Sequence, residues 1–253
     1  MTDLITLLLA ATVSIASCAP FSGGADTTAT GSMLEGKTIA FAGDSIGYGT
    51  NWLGGYAKII GEDEGMIVTN TAKGGASVAR GVKWSADSEG YRPCIIDMVE
   101  SMESEFDYII VEGGINDFWN HTPMGELTDG FDGGYDAETF AGAMETVFYD
   151  IKTLHPESKA GFVIVHDPFT YNAEADFEKY YEAIKASCEK WDVPYLDLYA
   201  ANNQETGVNV RDAEQKKLYF GSDSAPEGDG THPNEQGYRT IYAEPMIEWL
   251  KTL

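Results

Sequence analysis

The chain has 253 residues and carries 16 Lys and Arg against 41 Asp and Glu, so its formal net charge at pH 7 is −25. Such an acidic surface repels nucleic-acid phosphates and anionic lipid headgroups, which excludes nucleic-acid binding and disfavours anionic membranes as partners of the folded chain. Hydrophobic residues make up 43% of the sequence, enough for a substantial core, and the length fits one α/β domain or two small ones.

The N-terminal segment predicts export. Residues 4–13 form an apolar run that is too short to span a bilayer, and small residues lead from it into Cys18. The segment resembles a bacterial lipoprotein signal, in which cleavage before Cys18 leaves that thiol to carry lipid; an ordinary secretory signal or a core helix are the alternatives. We therefore expect a signal peptide over residues 1–17 and an exported protein, either a cell-surface lipoprotein or a secreted or periplasmic one. Membrane contact is expected only through a lipid on Cys18.

Residues 18–36 are rich in small and polar side chains and predict a flexible tether, which leaves residues 37–253 for the folded domain. The two remaining cysteines, Cys94 and Cys188, lie in apolar, helix-like patterns. We interpret them as buried free thiols, with a disulfide between them as the alternative.

From Lys37 onward, short apolar runs alternate with amphipathic stretches. Apolar runs without polar alternation are typical of strands buried on both faces of a parallel sheet, and the candidates are residues 38–42, 66–70, 108–112, 162–165 and 193–198. Apolar residues at helical spacing predict helices over 140–154, with Asp136 as the N-cap, and over 177–191. The alternation predicts one doubly wound α/β domain, in which ligands bind beyond the carboxyl ends of the strands.

Two motifs carry the residue types of nucleophilic catalysis. Ser45, in Gly-Asp-Ser, follows the first strand at a turn into a helix, where a serine hydroxyl is exposed. His232 follows Asp229 by three residues and precedes the last predicted helix. A histidine can activate a serine hydroxyl when a carboxylate orients its ring. The serine also fits the G-x-S-x-G pattern of α/β-hydrolases, but that fold needs several strands before its serine, and here one precedes it.

Two further motifs offer hydrogen-bond donors at the ends of the second and third strands. Gly74 and Gly75 follow the second strand, and Gly114-Ile115-Asn116-Asp117 follows the third. Backbone N–H groups of glycine turns and side-chain amides can stabilise the oxyanion of acyl transfer. Each motif taken alone is equally typical of an ordinary turn or helix cap.

In this order and strand context, the four motifs resemble the SGNH (GDSL-type) hydrolases over nearly the whole predicted domain. The resemblance implies that Ser45 is the nucleophile, His232 the general base and acid, and Asp229 the orienting carboxylate. It also implies an oxyanion hole formed by the N–H groups of Ser45 and Gly75 and by the Asn116 side chain. The implied fold is flavodoxin-like, with a five-stranded parallel sheet in the order 2-1-3-4-5 flanked by helices, and the family uses neither a metal nor an organic cofactor.

Trp119, close behind Asn116, and His166, directly after the fourth strand, are predicted to line the substrate pocket. No long apolar lid is visible in the sequence, so we expect a small-molecule or carbohydrate ester as substrate, most simply a short O-acyl group such as O-acetyl on carbohydrate. A lipase, lysophospholipase or thioester hydrolase of the same family is an alternative, as is acyl transfer to a sugar. An alternative of another class is a surface carbohydrate-binding protein without catalysis.

Overall fold

The computed structural model describes residues 32–169, 174–202 and 207–253. The predicted signal peptide, Cys18 and the predicted tether up to residue 31 lie outside the described residues. Within the described ranges, no helix combines the length and the apolar character needed to cross a membrane.

The last residues of the predicted tether pack onto the domain. Leu34 is 1% exposed, and the Gly36 N–H donates to the Gly65 carbonyl at 3.0 Å. The Ser32 hydroxyl donates to the Glu64 carboxylate. Residues 32–36 therefore belong to the folded domain, and the predicted boundary at residue 37 is corrected. An apolar side chain inside a Gly- and Ser-rich stretch was the signal for this contact.

Five parallel strands form one sheet in the order β2-β1-β3-β4-β5, which is the predicted topology. The strands are Thr38–Ala42 (β1), Ile67–Asn70 (β2), Tyr108–Glu112 (β3), Lys159–Ile164 (β4) and Tyr195–Asp197 (β5). All five residues of β3 are buried, because this strand lies at the centre of the sheet with helices on both faces. The carboxyl ends of β1 and β3 lie side by side, since Ala42 pairs with Val111.

Helices fill the connections between strands and follow the last one. They are Ser45–Tyr48 (α1), Gly55–Glu64 (α2), Ile95–Glu100 (α3), Ile115–Trp119 (α4), Phe140–Leu154 (α5), Glu174–Trp191 (α6), Leu198–Asn202 (α7), Ala213–Phe220 (α8), Glu235–Gly237 (α9) and Glu244–Leu250 (α10). A π-helical segment, Tyr238–Ala243, joins α9 to α10. π-helical turns are rare and frequently occur at functional sites.

The predicted N-cap of α5 is corrected. The Thr139 hydroxyl accepts from the Gly142 N–H and so caps the helix. Asp136 lies three residues earlier, where its carboxylate accepts from the Glu138 N–H at 3.1 Å. The aspartate therefore stabilises the turn that precedes the helix, because a short carboxylate side chain bonds equally well to a backbone N–H two residues on.

Both described cysteines, Cys94 and Cys188, are free and buried, as predicted. Burial raises the pKa of Cys94 to about 11, and burial also raises the pKa of Cys188. Both side chains are therefore uncharged thiols at neutral pH and serve as small core residues.

A buried ion pair stabilises the glycine-rich loop of residues 129–136, which precedes α5. The Lys190 ammonium pairs with Glu145, whose side chain is fully buried, and it donates to the carbonyl of Gly130 at 2.8 Å. The same ammonium lies 4.9 Å from the centre of the Phe131 ring. A charge this well enclosed by partners can hold a loop that has little regular structure of its own.

Candidate active site

Ser45 lies at the first position of α1, directly beyond the carboxyl end of β1. The preceding residue, Asp44, is the N-cap, and its carboxylate accepts from the Ile46 N–H at 2.8 Å. The Glu112 carboxyl, at the end of β3, accepts through Oε1 from the N–H groups of Asp44 at 2.7 Å and Gly47 at 3.0 Å. Two buried carboxyl groups thus hold the turn that presents the serine.

Glu112 is the more unusual of these two groups. It is fully buried, and its Oε2 has no hydrogen-bond partner among the described residues. Burial, and then the negative charge of nearby Asp44, raise the pKa of Glu112 well above its ordinary value. Burial also raises the pKa of Asp44. A Cβ at Gly43 would lie 2.2 Å from the Glu112 Oε1, so the turn can approach this carboxyl only with glycine at that position.

Ser45, His232 and Asp229 form a continuous hydrogen-bonded line. The Ser45 Oγ lies 2.9 Å from the His232 Nε2, and the His232 Nδ1 lies 2.7 Å from the Asp229 Oδ2. Because a carboxylate only accepts, the ring carries its proton on Nδ1, and Nε2 is left to accept from the serine hydroxyl. The structure therefore brings together the three side chains that the resemblance selected.

Asp229 also shapes the loop that carries the histidine. Its Oδ1 accepts from the N–H groups of Thr231 and His232, both at 2.8 Å. Burial raises the pKa of Asp229, but the hydrogen bonds from the His232 ring and from the two N–H groups outweigh burial and lower the pKa below its ordinary value. The carboxylate therefore stays ionised near neutral pH and can stabilise a protonated His232 ring.

His166 does not line the pocket, and its predicted role in substrate binding is wrong. The side chain is 1% exposed. Its Nε2 donates to the Gly230 carbonyl at 3.0 Å, and its Nδ1 accepts from the Tyr242 hydroxyl at 2.6 Å. Burial lowers the pKa of His166 to about 4, so the ring is neutral. His166 does lie directly after β4, near the catalytic residues, but Tyr242 and Gly230 from the C-terminal part of the chain cover its side chain.

Two of the predicted oxyanion donors are backbone N–H groups near this line. Among the described residues, neither the Ser45 N–H nor the Gly75 N–H has a hydrogen-bond acceptor. Gly75 has a φ of +75°, and a Cβ there would lie 2.6 Å from the Trp84 ring. Gly74, by contrast, has open space around its Cα. The local geometry therefore requires glycine at position 75 and leaves position 74 free to vary.

Asn116, the third predicted donor, lies in the first turn of α4. Its Nδ2 donates to the Ala76 carbonyl at 2.9 Å and to the Asp44 carboxylate at 3.2 Å. These contacts bring the side chain to the serine turn and also occupy both amide hydrogens. Asn116 can offer a hydrogen to a substrate oxygen by giving up the longer bond, the one to Asp44.

Sequence reasoning missed Arg92, which connects two of the predicted donor residues. Its Nη1 donates to the Gly75 carbonyl at 3.0 Å and to the Asn116 Oδ1 at 3.2 Å, and its guanidinium carbon lies 4.6 Å from the centre of the Trp84 ring. Burial lowers the pKa of Arg92, against the opposite effect of Asp117 and Asp44. No pattern in the sequence marks this arginine, because Gly75 lies 17 residues earlier and Asn116 lies on another element, α4.

Asp117, the neighbour of Asn116, serves the scaffold. Its carboxylate is fully buried and accepts from the N–H groups of Val78 at 2.8 Å and Ala79 at 3.0 Å. Burial raises the pKa of Asp117 to about 6. The residue ties the loop after β2 to α4, and the chain therefore uses adjacent residues for a site contact and for a structural one.

Trp119 lies at the end of α4 and is 51% exposed. It borders a groove of about 680 Å³, lined also by Lys83, His121 and Glu138. Ser45 and His232 are not among the groove's lining residues. Helix α4 connects the two features, because Asn116 and Trp119 are one turn apart and the Asn120 amide donates to the Asn116 carbonyl at 2.6 Å. Helix α4 therefore carries both a residue of the groove, Trp119, and a residue that contacts the serine turn, Asn116.

In the described ranges, no cluster of three or more His, Cys, Asp or Glu residues is arranged to hold a metal ion. The chemistry that the described side chains can perform is proton transfer between a hydroxyl and an imidazole beside free N–H donors. That arrangement suits attack of the Ser45 oxygen on a carbonyl carbon.

Comparison with known families matches residues 41–240 to the GDSL-like lipase/acylhydrolase family. The chain belongs to this family. The match extends from within β1 into the π-helical segment and so includes every residue of the hydrogen-bonded line. As a GDSL-like member, the protein is a serine hydrolase. No protein with a curated description matches the sequence.

Solved structures show the same fold. A protein from Lactobacillus plantarum is 22% identical with a TM-score of 0.65, over 86% of this chain and 98% of that chain. The psychrotrophic esterase EstA from Pseudoalteromonas sp. is 12% identical with a TM-score of 0.53, over 85% and 97%. A carbohydrate esterase family 2 enzyme with a carbohydrate-binding domain, from Corynascus thermopiles (Myceliophthora fergusii), is 17% identical with a TM-score of 0.55, over 89% and 68%.

Proposed function

We propose that this GDSL-like hydrolase is an esterase that removes short acyl groups, most simply O-acetyl groups, from carbohydrate through an acyl-enzyme. The observation that carries the proposal is the line from the Ser45 Oγ to the His232 Nε2 at 2.9 Å and on to Asp229 at 2.7 Å. A hydroxyl that already donates to an oriented imidazole is ready for attack on an ester carbonyl.

In the first step, the Ser45 oxygen bonds to the carbonyl carbon while its proton moves to the His232 Nε2. Asp229 stabilises the imidazolium that forms, and it keeps the ring oriented without taking up the proton. The carbonyl electron pair moves onto oxygen, and the N–H groups of Ser45 and Gly75 donate to that oxyanion. Asn116 becomes the third donor when it gives up its 3.2 Å bond to Asp44.

In the second step, the ester C–O bond breaks and His232 returns its proton to the leaving sugar oxygen, which departs as a hydroxyl. Water then donates its proton to His232 as it attacks the acyl-enzyme. The tetrahedral intermediate collapses, the carboxylic acid leaves, and the proton returns to Ser45. One water is consumed and one ester is divided into an acid and an alcohol, so no cofactor enters the balance.

The groove supports a carbohydrate as the leaving group. An indole face that is half exposed, as in Trp119, can stack on the apolar face of a sugar ring, and the polar groups of Lys83, His121 and Glu138 can bond to its hydroxyls. The esterase from Corynascus acts on carbohydrate by its family name and shares this fold. A long acyl chain would need an extended apolar wall, and in this groove Lys83, His121 and Glu138 interrupt the apolar part of the lining.

The test is a substrate panel of p-nitrophenyl acetate, butyrate and octanoate together with acetylated xylan. We expect the acetyl ester and the xylan to give the highest kcat/KM, and Ser45→Ala to remove activity on all four. Preference for octanoate would instead favour the lipase alternative. Full activity of Ser45→Ala would overturn the assignment of the nucleophile.

Asn116→Ala supplies a second test. Loss of one oxyanion donor costs about 10²–10³ in kcat, so we expect a loss of that size for p-nitrophenyl acetate with KM little changed. Asn120→Ala, one turn away at the C-terminal end of α4, is the matched control, because its side-chain amide bonds only to the Asn116 carbonyl among the described residues. A near-wild-type rate for Asn116→Ala would remove this residue from the oxyanion hole.

A further inference from the structure

We propose that Tyr238 and Tyr242, on the π-helical segment, are positioning residues that together set the alignment of Ser45 with His232, Tyr242 acting through His166. The inference rests on the serine-hydrolase part of the proposed function and is independent of the substrate. It assigns a role to a buried histidine and two buried tyrosines that the mechanism itself does not use.

The two reacting groups come from distant parts of the chain and must be held in alignment. Ser45 and His232 are 187 positions apart in the chain; Ser45 begins the short helix α1, and His232 lies in a loop. A displacement of about 1 Å between reacting groups can cost 10²-fold in rate. Rapid turnover therefore requires that the two segments are fixed to a common support.

Tyr238 holds the serine side. Its side chain is fully buried, and its hydroxyl donates to the Ile46 carbonyl at 2.9 Å. Ile46 directly follows Ser45 in α1. A Cβ at Gly55 would lie 3.3 Å from the Tyr238 ring, so the ring is closely packed where its hydroxyl reaches the Ile46 carbonyl.

Tyr242 holds the histidine side through one intermediate. Its fully buried hydroxyl donates to the His166 Nδ1 at 2.6 Å, and the His166 Nε2 donates to the Gly230 carbonyl at 3.0 Å. Gly230 directly follows Asp229. Because a carbonyl only accepts, this line requires the neutral Nε2–H form of His166 and gives the Tyr242 hydroxyl a single role as donor. The low pKa of His166 agrees with that form.

Packing holds the Tyr238 and Tyr242 side chains in a fixed arrangement relative to each other. Tyr238 and Tyr242 lie on one helical turn with their ring centres 6.1 Å apart, and Tyr56 packs against both at 6.4 and 5.5 Å. One short segment thereby holds both halves of the catalytic line. A π-helical turn at this place follows the general occurrence of such turns near functional sites.

The experiment compares Tyr238→Phe, Tyr242→Phe and His166→Phe on p-nitrophenyl acetate. Each change keeps a ring and removes hydrogen bonds, so we expect kcat to fall about tenfold with KM unchanged. The rate of Ser45 labelling by a fluorophosphonate should fall in parallel. The matched control is Tyr180→Phe, which loses a buried hydroxyl bond of 2.7 Å to the Thr122 carbonyl and should keep wild-type kcat.

Two further variants separate positioning from plain stability. In the His166→Phe background, Tyr242→Phe should cause no additional loss of kcat, because both act on the same carbonyl. His166→Gln keeps a donor for Gly230 and should recover most of the lost rate. Thermal unfolding of each variant shows whether it is folded at the assay temperature.

The proposal is overturned if the tyrosine variants lose thermal stability to the same extent as Tyr180→Phe while their kcat stays at the wild-type value. It is equally overturned if the losses of His166→Phe and Tyr242→Phe add. Ser45→Ala distinguishes failure of the positioning proposal from failure of the proposed nucleophile. If it is inactive and the tyrosine variants are unimpaired, positioning alone fails; if it is active, the proposed nucleophile fails.

Discussion

Glu112→Gln and Glu112→Ala provide a sharp test of how the nucleophile turn is built. The Glu112 Oε1 accepts from the N–H groups of Asp44 and Gly47 in a fully buried position. Alanine leaves both N–H groups without a partner, at about 1–3 kcal/mol each. The expected loss is therefore about 2–6 kcal/mol, a large share of the 5–15 kcal/mol by which domains are usually stable.

Glutamine should behave very differently from alanine at this position. It keeps a carbonyl oxygen for the two N–H groups, and its NH2 group replaces an Oε2 that has no hydrogen-bond partner among the described residues. If Glu112 is protonated in the folded protein, the substitution exchanges one neutral group for another. We expect Glu112→Gln to retain most of its kcat on p-nitrophenyl acetate and to change stability by about 1 kcal/mol or less at pH 5.

The pH dependence follows from the raised pKa of Glu112. A carboxyl group whose pKa is higher in the folded state than in the unfolded state binds its proton more tightly when folded. Its stabilising effect is fully present below its unfolded value near 4.5 and is lost as the pH rises towards the folded value. Glu112→Gln removes this dependence, so its stability relative to the wild type should increase with pH.

The assay is urea unfolding of wild type and both variants at pH 5, 7 and 9, with kcat measured at each pH. A Glu112→Gln variant that is as unstable and inactive as Glu112→Ala would refute the reasoning, since it would show that the negative charge itself holds the turn. A stability difference between wild type and Glu112→Gln that is the same at all three pH values would refute the raised pKa.

Two further outcomes are expected. Gly75→Ala should lower kcat on p-nitrophenyl acetate by about 10²-fold, because its Cβ would lie 2.6 Å from the Trp84 ring and displace an oxyanion donor. Gly74→Ala is the control, since position 74 has open space around it. Equal losses of kcat in the two variants would contradict this assignment. Lys190→Met should lower the unfolding free energy by about 3–5 kcal/mol, since it leaves the buried Glu145 carboxylate unpaired. Adding Glu145→Gln should restore much of that loss in urea unfolding, and no restoration would show that the ion pair is not the cause.

Much of the fold could be predicted from local patterns. The bounds of β1 and β3 agree with the predicted runs because these central strands are buried on both faces, which leaves a continuous apolar signal. Strand β4 begins at Lys159, three residues before the predicted run. Its first three residues, Lys159, Ala160 and Gly161, pair with β3, and none of them has a large apolar side chain that would mark the strand in the sequence.

The site divides in the same way. Ser45 and His232 were found because each lies in a short motif whose chemistry is visible within five residues. Glu112 and Arg92 were missed because their partners lie on other parts of the chain: Glu112 accepts from backbone N–H groups of the serine turn, and Arg92 donates to Gly75 and Asn116. His166 was misassigned because its position at a strand end does not reveal that Tyr242, 76 residues further along the chain, covers it.

Because Ser45 and His232 lie far apart in the sequence, the active site can form only late in the synthesis of the chain. A growing chain can complete the five-stranded sheet and expose its serine turn before residues 229–232 have been synthesised, and at that stage Ser45 is an unreactive alcohol. Activity begins when the last loop docks beside β1. Fluorophosphonate labelling of Ser45 should therefore require a chain that extends past His232 and has docked this loop, and chains that end before residue 229 should stay unlabelled.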